Sequence, residues 1–516
     1  KHCRSNILGP ITLILILGFV VRLFACQNTH VINSDGVLYI NQARAIYYGQ
    51  WDRLLHILRY VSSYPVFIAG SYPIFHNWVV AAKSVSLFFG SLTLIPVYLI
   101  LKQHLNREIT ALCLLVFALT PLFVSLSGDA LRGPVSWFFL AFGIYFFSRQ
   151  TGKKKRPYLA WSCIFFLMGT SARIEVALFI IISAFYILVV TREEKLAKLI
   201  YFLVPLLFLV PFFFLGREIL GISLNNVYRL EEIPVEIAGI IPSHVELRAG
   251  LEVLIDQLQK STLGRFLEHV YHLTWIIPLG VLLRATIEDA FFYPFFVLFV
   301  IGVLDVRTRI KNDRRILYLV FLSFGAVMLV YFHTFRNWIL SSRFLHLFVI
   351  SSFVFVGFGL EKTEAFLRSR FNLRAQNALA ILCFLILALG LPKNLRPERQ
   401  DKQIYKQIGL FISQIEGEAK QIPVVATSHQ TRFSFYANLN FRGVPDQPPL
   451  VMRAKSYAKL VRELKKGNIM YFLWEEQEWP TDGFPFIKEV KDEDLVQIKS
   501  WTDADRGRLI LFKVVA

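Results

Sequence analysis

Long apolar runs separated by short polar breaks occupy the first three quarters of the chain. Runs at 7–25, 79–101, 109–126, 134–148, 159–172, 176–190, 199–215, 285–304, 317–332, 345–360 and 378–391 predict about eleven membrane-spanning helices, because crossing a bilayer takes roughly 20 apolar residues. Two breaks need a physical decision. Residues 159–190 make one long helix or two short ones meeting at "TSARIE"; a single helix leaves Arg173 and Glu175 in mid-membrane, which is costly, so two helices are expected. "LTWIIPLGVLL" (273–283) is too short to span and contains Pro278, so it reads as interfacial or re-entrant. From residue 393 the pattern changes: charged residues become frequent and long apolar runs stop. There "IPVVATSH", "NIMYFLWEE" and "RGRLILFKVVA" read as strands, "YAKLVRELKKG" as a helix closed by Gly467, and "TDADRG" as a hairpin turn. The expected architecture is therefore a polytopic α-helical membrane domain over 1–392, with outer loops at 26–78 and 216–284, and a small α/β domain over 393–516.

Composition supports the membrane reading. The 516-residue chain is 55% hydrophobic and only 18% charged, with a mean hydropathy of +0.50. Its net charge of +19 fits basic cytoplasmic loops better than nucleic-acid binding, since no aromatic–basic interleaving accompanies it. With a cytoplasmic N-terminus, the basic clusters "RQTGKKKRPY" and "DVRTRIKNDRRI" fall inside, while 26–78 and 216–284 fall outside. No small-residue cleavage site clearly follows the first run, so it reads as a retained helix rather than a removed signal. The five cysteines form no CxxC pair and argue for neither a disulfide scaffold nor a zinc site.

That topology collects Asp35, Asp129, Arg132, Arg173, Glu175, Arg336, Arg343 and the C-terminal segment on the non-cytoplasmic side. In "NSDG", Asn33 or Ser34 caps a helix with Asp35 in its first turn, on a face with Tyr39, Gln42 and Ile46. Asp35 there either complements the helix dipole or serves as a general base toward an incoming hydroxyl. "SGDALRGP" places Asp129 and Arg132 at i,i+3, as a local ion pair or as an arginine fork for an anionic group with Asp129 orienting it or binding an acceptor. Arg173 and Glu175 line a cavity or pair with each other. Arg336 and Arg343 flank an outer loop, which strengthens the case for an anion on that side. No P-loop, GxSxG or HExxH is present. No metal site is assigned; a divalent cation would fit only if the fold brought Asp35 and Asp129 together.

The ordered stretches "SDGVLYINQARAIYYGQW", "YPVFIAGSYPIFHNWVVAAKSVSLFFGSLTLIPVYLI", "ALTPLFVSLSGDALRGPVSWFFLAFGIYFF", "GTSARIEVALFII" and "SSRFLHLF" resemble the GT-C superfamily of polyprenyl-phosphate-sugar-dependent glycosyltransferases. Within it the chain is similar to the glycosyltransferase family 39-like members, which include bacterial protein O-mannosyltransferases and the lipid A aminoarabinose transferase. The resemblance covers 1–392 and implies an inverting transferase in the bacterial cytoplasmic membrane, working at its periplasmic or exterior face. It implies a polyprenyl-phosphate-linked sugar donor and a hydroxyl acceptor on a glycan, lipid or protein. By the same resemblance Asp35 is the catalytic base, and Arg343, Arg132 and Arg173 hold the donor phosphate. Asp129 and Glu175 are candidates for acceptor contact or a second carboxylate. The chain departs from the family pattern at Gly36, where many members carry a second acid, and at Ile174, where a proline is usual.

Two other functions compete. A transporter or flippase for lipid-linked sugars calls for charges at mid-span in repeat-related helices, and neither is visible. A non-catalytic assembly subunit would make the C-terminal domain its working part.

Overall fold

A computed structural model describes residues 8–150, 157–191, 194–220, 223–229, 231–258, 261–396, 402–417, 420–446, 456–479 and 484–515. The N-terminal residues 1–6 and most of "RQTGKKKRPY" lie outside the described residues. The structure is mostly helical and divides into two compact units, one of 1–27, 60–64 and 83–396, the other of 28–59, 65–82 and 397–516.

In the first unit, apolar composition and length govern the helices. Among the described residues five helices are long and apolar enough to cross a membrane: Gly9–Asn28, Trp78–Leu101, Arg314–Asn337, His346–Phe371 and Ala375–Asn394. The count rises to seven if two bent pairs each make one span. One pair, Arg107–Ala118 with Pro121–Gly128, bends by 48°; the other, Thr262–Leu273 with Ile277–Phe291, bends by 82° and contains the Pro278 stretch expected to be re-entrant. The shorter apolar helices Gly133–Ser148, Pro157–Ala172 and Ile174–Val190 occupy further expected runs. The run expected at 285–304 is displaced. The helix starts at Tyr293 behind Phe292, whose φ is +70°, and 286–291 continue the preceding helix as a π-helical turn.

Each break has a visible cause. Pro121 stops the helix Arg107–Ala118, and its orphaned terminal carbonyls find donors elsewhere. The buried Arg22 donates to the Ala118 carbonyl at 2.9 Å, and the Asn394 amide donates to that of Leu119 at 2.8 Å. A guanidinium beside a helix C-terminus also meets the negative end of the dipole. At 159–190 the helix ends at Ala172 and Arg173 takes an extended conformation (φ −145°). A 3₁₀ turn Ile174–Val176 follows, then the helix Ala177–Val190. The two-helix reading of this stretch matches that break.

Close helix packing depends on glycine. A Cβ on Gly302 would strike the carbonyl of Phe355, and one on Gly359 that of Leu298, so Tyr293–Asn312 and His346–Phe371 meet backbone to backbone. Small residues at such crossings are how helices gain packing where lipid offers no hydrophobic drive. Phenylalanines fill the rest of the core: Phe117 stands edge-on to Phe353 at 4.9 Å, and Phe147 stacks on Tyr318 at 4.1 Å.

The second unit contains a four-stranded sheet of β1 (Val424–Ala426), β2 (Tyr471–Glu475), β3 (Leu495–Asp503) and β4 (Gly507–Val514), in the order β1-β2-β4-β3. β1 and β2 are parallel; the other pairs are antiparallel. Alternating side chains supply both faces. Val424, Leu473 and Leu511 pack with Tyr405, Ile408 and Ile412 of the helix Gln403–Glu416. Val425, Phe472 and Ile510 pack with Leu460 and Leu464 of the helix Tyr457–Lys466, which Gly467 closes. The turn read at "TDADRG" joins β3 to β4. β3 is implied only by that hairpin turn: it is an edge strand whose apolar Val496 and Ile498 stay exposed, so hydropathy does not mark it. The unit also takes in 28–59 and 65–82, which hydropathy groups with the membrane domain. Bonds far apart in sequence account for this: Arg44 donates to the carbonyls of Asn438 (3.2 Å) and Leu439 (2.6 Å), and Arg53 to that of Val444 (2.8 Å).

Candidate active site

The candidate ionisable residues divide between the two units, all but Asp35 lying in the first. In the first, Arg173 sits at the helix break, 5% exposed, and grips Glu175 through Nη2–Oε1 (2.9 Å) and Nε–Oε2 (3.4 Å). Its third nitrogen, Nη1, donates to the carbonyl of Arg343 at 3.4 Å. The His346 Nδ1–H donates to that same carbonyl at 2.8 Å, which in the neutral ring makes Nε2 an acceptor, buried and without a hydrogen-bond partner among the described residues. The ring of Phe344 lies 4.9 Å from the Arg173 guanidinium carbon and 5.6 Å from that of Arg343. Cation–π contact therefore aligns both arginines on one aromatic plate.

Arg132 follows Gly128–Asp129 at the end of the helix Pro121–Gly128. Gly128 is needed there because a Cβ would come within 2.8 Å of the Ala25 backbone. The Arg132 guanidinium lies 5.1 Å from the Tyr60 ring, and Arg229 covers the same ring at 4.6 Å. The charge of Arg132 also reaches Glu175 and His346. The structure thus brings Arg173, Glu175 and Arg343 into contact, while Arg132 is held on Tyr60. Of the two readings of Arg173 and Glu175, mutual pairing matches the geometry. A carboxylate held by a guanidinium fork is a weak base, since protonating it breaks the pair.

Asp129 accepts the Ala130 N–H at 2.7 Å. Its charge and that of Lys83 both act at the Cys26 thiol. Lys83, 9% exposed, donates to the Cys26 carbonyl at 2.6 Å. Lys83 was missed from sequence, although a lone cation in "WVVAAKSVSLFF" is the intramembrane charge that ordinarily marks function. His346 and Arg229 were also missed; neither has a spacing that singles it out. Arg336 pairs with Glu236, and its carbonyl accepts from Ser243 at 2.7 Å.

Asp35 belongs to the second unit. Asn33 caps the helix Ser34–Tyr47 and its side chain accepts the Asp35 N–H at 3.0 Å, which puts the carboxylate in the first turn. Asp35 is half-buried, with Tyr39 and Gln42 buried behind it on the expected face. Gln42 is held through its amide to the Leu54 carbonyl at 3.3 Å. Among the described residues no three His, Cys, Asp or Glu side chains group as a metal cage.

The family of dolichyl-phosphate-mannose-protein mannosyltransferases is matched by residues 63–215. No curated protein of similar sequence was found. Among solved structures, ArnT from Cupriavidus metallidurans bound to undecaprenyl phosphate superposes with a TM-score of 0.59 at 10% identity, over 99% of this chain and 98% of that one. The Archaeoglobus fulgidus oligosaccharyltransferase, tethered with an acceptor peptide containing the NVT sequon, gives 0.55 at 12% identity, over 90% of this chain and 69% of that one. Both are GT-C glycosyltransferases. The chain is a multi-pass membrane protein with the GT-C glycosyltransferase fold, and it carries the mannosyltransferase family's pattern over 63–215.

Proposed function

We propose that the protein is an inverting glycosyltransferase that moves a sugar from a polyprenyl-phosphate carrier to a hydroxyl acceptor at the outer face of a bacterial cytoplasmic membrane. The observation that carries this reading is the pair Arg173 and Arg343 on the Phe344 ring, bonded through the Arg343 carbonyl, with Arg132 held on Tyr60 as a further cation. Such a cluster suits a phosphate: guanidinium forks match its oxygens and remain charged at any working pH. In this reading Asp35 takes the acceptor's hydroxyl proton as that oxygen attacks the anomeric carbon. The bond from the anomeric carbon to the phosphate oxygen breaks, and its electron pair leaves with the lipid phosphate. The arginines stabilise the charge that gathers there. Glu175 orients Arg173, and Asp129 is the remaining candidate for the acceptor. In this reading the eleven apolar runs of the sequence all cross, which puts 397–516 on the outer side when the N-terminus is cytoplasmic. The undecaprenyl phosphate bound by ArnT supports the choice of carrier.

The test is Asp35→Asn in cells, read by mass spectrometry of extracted lipids and envelope glycans. Product should fall by about 10²–10⁴, with undecaprenyl phosphate binding by the purified protein unchanged. Near-normal product would mean that Asp35 is not the base.

A further inference from the structure

The helix that carries Asp35 is fixed at both ends by one other helix of the same unit, Gln430–Ala437. At its start, both backbone groups of Ile32 are taken. The Ile32 N–H donates to the Tyr436 hydroxyl at 3.2 Å, and its carbonyl accepts from Arg432 Nε at 3.2 Å. Ile32 is itself buried, so these polar groups have no water to fall back on. The next residue, Asn33, is the cap whose side chain takes the Asp35 N–H. Arg432 is held in turn, its Nη1 lying 3.2 Å from His429 Nδ1. At the far end, the fully buried Arg44 crosses to the carbonyls of Asn438 and Leu439, where Gln430–Ala437 ends. The rings of Phe435 and Trp78 lie 5.6 and 5.7 Å from its guanidinium carbon. A charge at that depth is kept only where its partners are fixed.

We infer that Arg432 and Tyr436 are positioning residues for Asp35: by fixing Ile32 they set where the first turn of its helix begins, and so where its carboxylate points. This rests on the reading of Asp35 as the base. Proton transfer needs the base within hydrogen-bond reach of its target, and a displacement of about 1 Å costs on the order of 10²-fold in rate. Both side chains meet the backbone of Ile32 and not Asp35 itself, so the effect proposed for them is on where Asp35 is held.

The experiment uses the full chain, with Arg432→Ala, Tyr436→Phe and the pair, each alone and combined with Asp35→Asn. Transfer is read as product in extracted lipids and envelope glycans; the binding probe is undecaprenyl phosphate. Arg432→Ala is expected to lower product about 10²-fold, with probe affinity unchanged. Hydrogen exchange should rise at the Ile32 amide in Tyr436→Phe, whose hydroxyl that N–H meets, and through 33–38 in either variant. Arg432→Lys, which keeps one donor, should recover part of the product. On the Asp35→Asn background the same substitutions should cause no further loss. An equal additional loss there, or full product from the Arg432→Ala, Tyr436→Phe pair, overturns the inference. If Asp35→Asn alone keeps full product, the base assignment has failed instead, and the two failures are thereby distinguished.

Discussion

Arg343 is placed through its backbone as well as its side chain: Arg173 and His346 converge on its carbonyl while its guanidinium meets Phe344. A charged hydrogen bond contributes about 1.5–3 kcal/mol. Arg343→Ala should therefore weaken undecaprenyl phosphate binding about tenfold to hundredfold, as measured on purified protein in detergent. Arg343→Lys should restore only part, because an ammonium lacks the planar fork. Unchanged affinity in both variants would remove Arg343 from the phosphate site. At this scale much was legible in the sequence. Asn33 before Asp35 announced a cap, and Arg173 in an apolar run announced a break, because both follow from local hydrogen bonding and desolvation. Lys83 carried the same signal as Arg173 and was passed over.

Between elements, the crossing at Gly302 and Gly359 leaves no room for a side chain. Gly302→Val should lower the thermal midpoint of the purified protein, at a cost of about 1–3 kcal/mol or more from overpacking. A midpoint equal to that of the parent protein would show that these helices separate easily. The helix Arg314–Asn337 starts on Asp313, whose carboxylate accepts the Arg315 N–H at 2.9 Å and faces His104 at 3.2 Å. Partial burial pushes its carboxyl up, but the hydrogen bonds from His104 and Arg315 outweigh this and hold it well below the usual range. A depressed carboxyl stabilises the fold above its unfolded value of about 3.9 and loses that contribution as pH falls. The midpoint of Asp313→Asn should thus lie below the parent's at neutral pH, with the gap closing below about pH 4. A gap independent of pH would mean that the charge contributes nothing. Helix lengths were only partly legible: the start at Tyr293 depends on the Phe292 conformation, which no hydropathy window registers.

For the molecule as a whole, the grouping of 28–59 with 397–516 was invisible from sequence. It depends on side chains reaching backbone carbonyls 391 to 395 residues away, and such acceptors exist at every residue, so composition cannot select them. Its sheet was easier to read, since β2 and the middle of β4 are continuous apolar runs. The proposed orientation has a direct check. A cysteine at the exposed Glu493, in a background without the native cysteines, should react with a membrane-impermeant thiol reagent added to intact cells. Labelling only after lysis would put 397–516 on the cytoplasmic side and remove the proposed topology.

Arg22 bears on how the protein is made. It lies within the helix Leu8–Asn28, yet the Ala118 carbonyl it serves is synthesised 96 residues later. An arginine at the centre of a lone membrane helix costs about 2.5–3.5 kcal/mol on the translocon scale. Until its partner emerges, this helix must delay full entry into lipid or let the guanidinium reach toward the interface. The helix Leu8–Asn28 is then slower to settle than its own apolar length suggests, and Arg22→Leu should insert sooner while leaving the break at Ala118 without its charged cap.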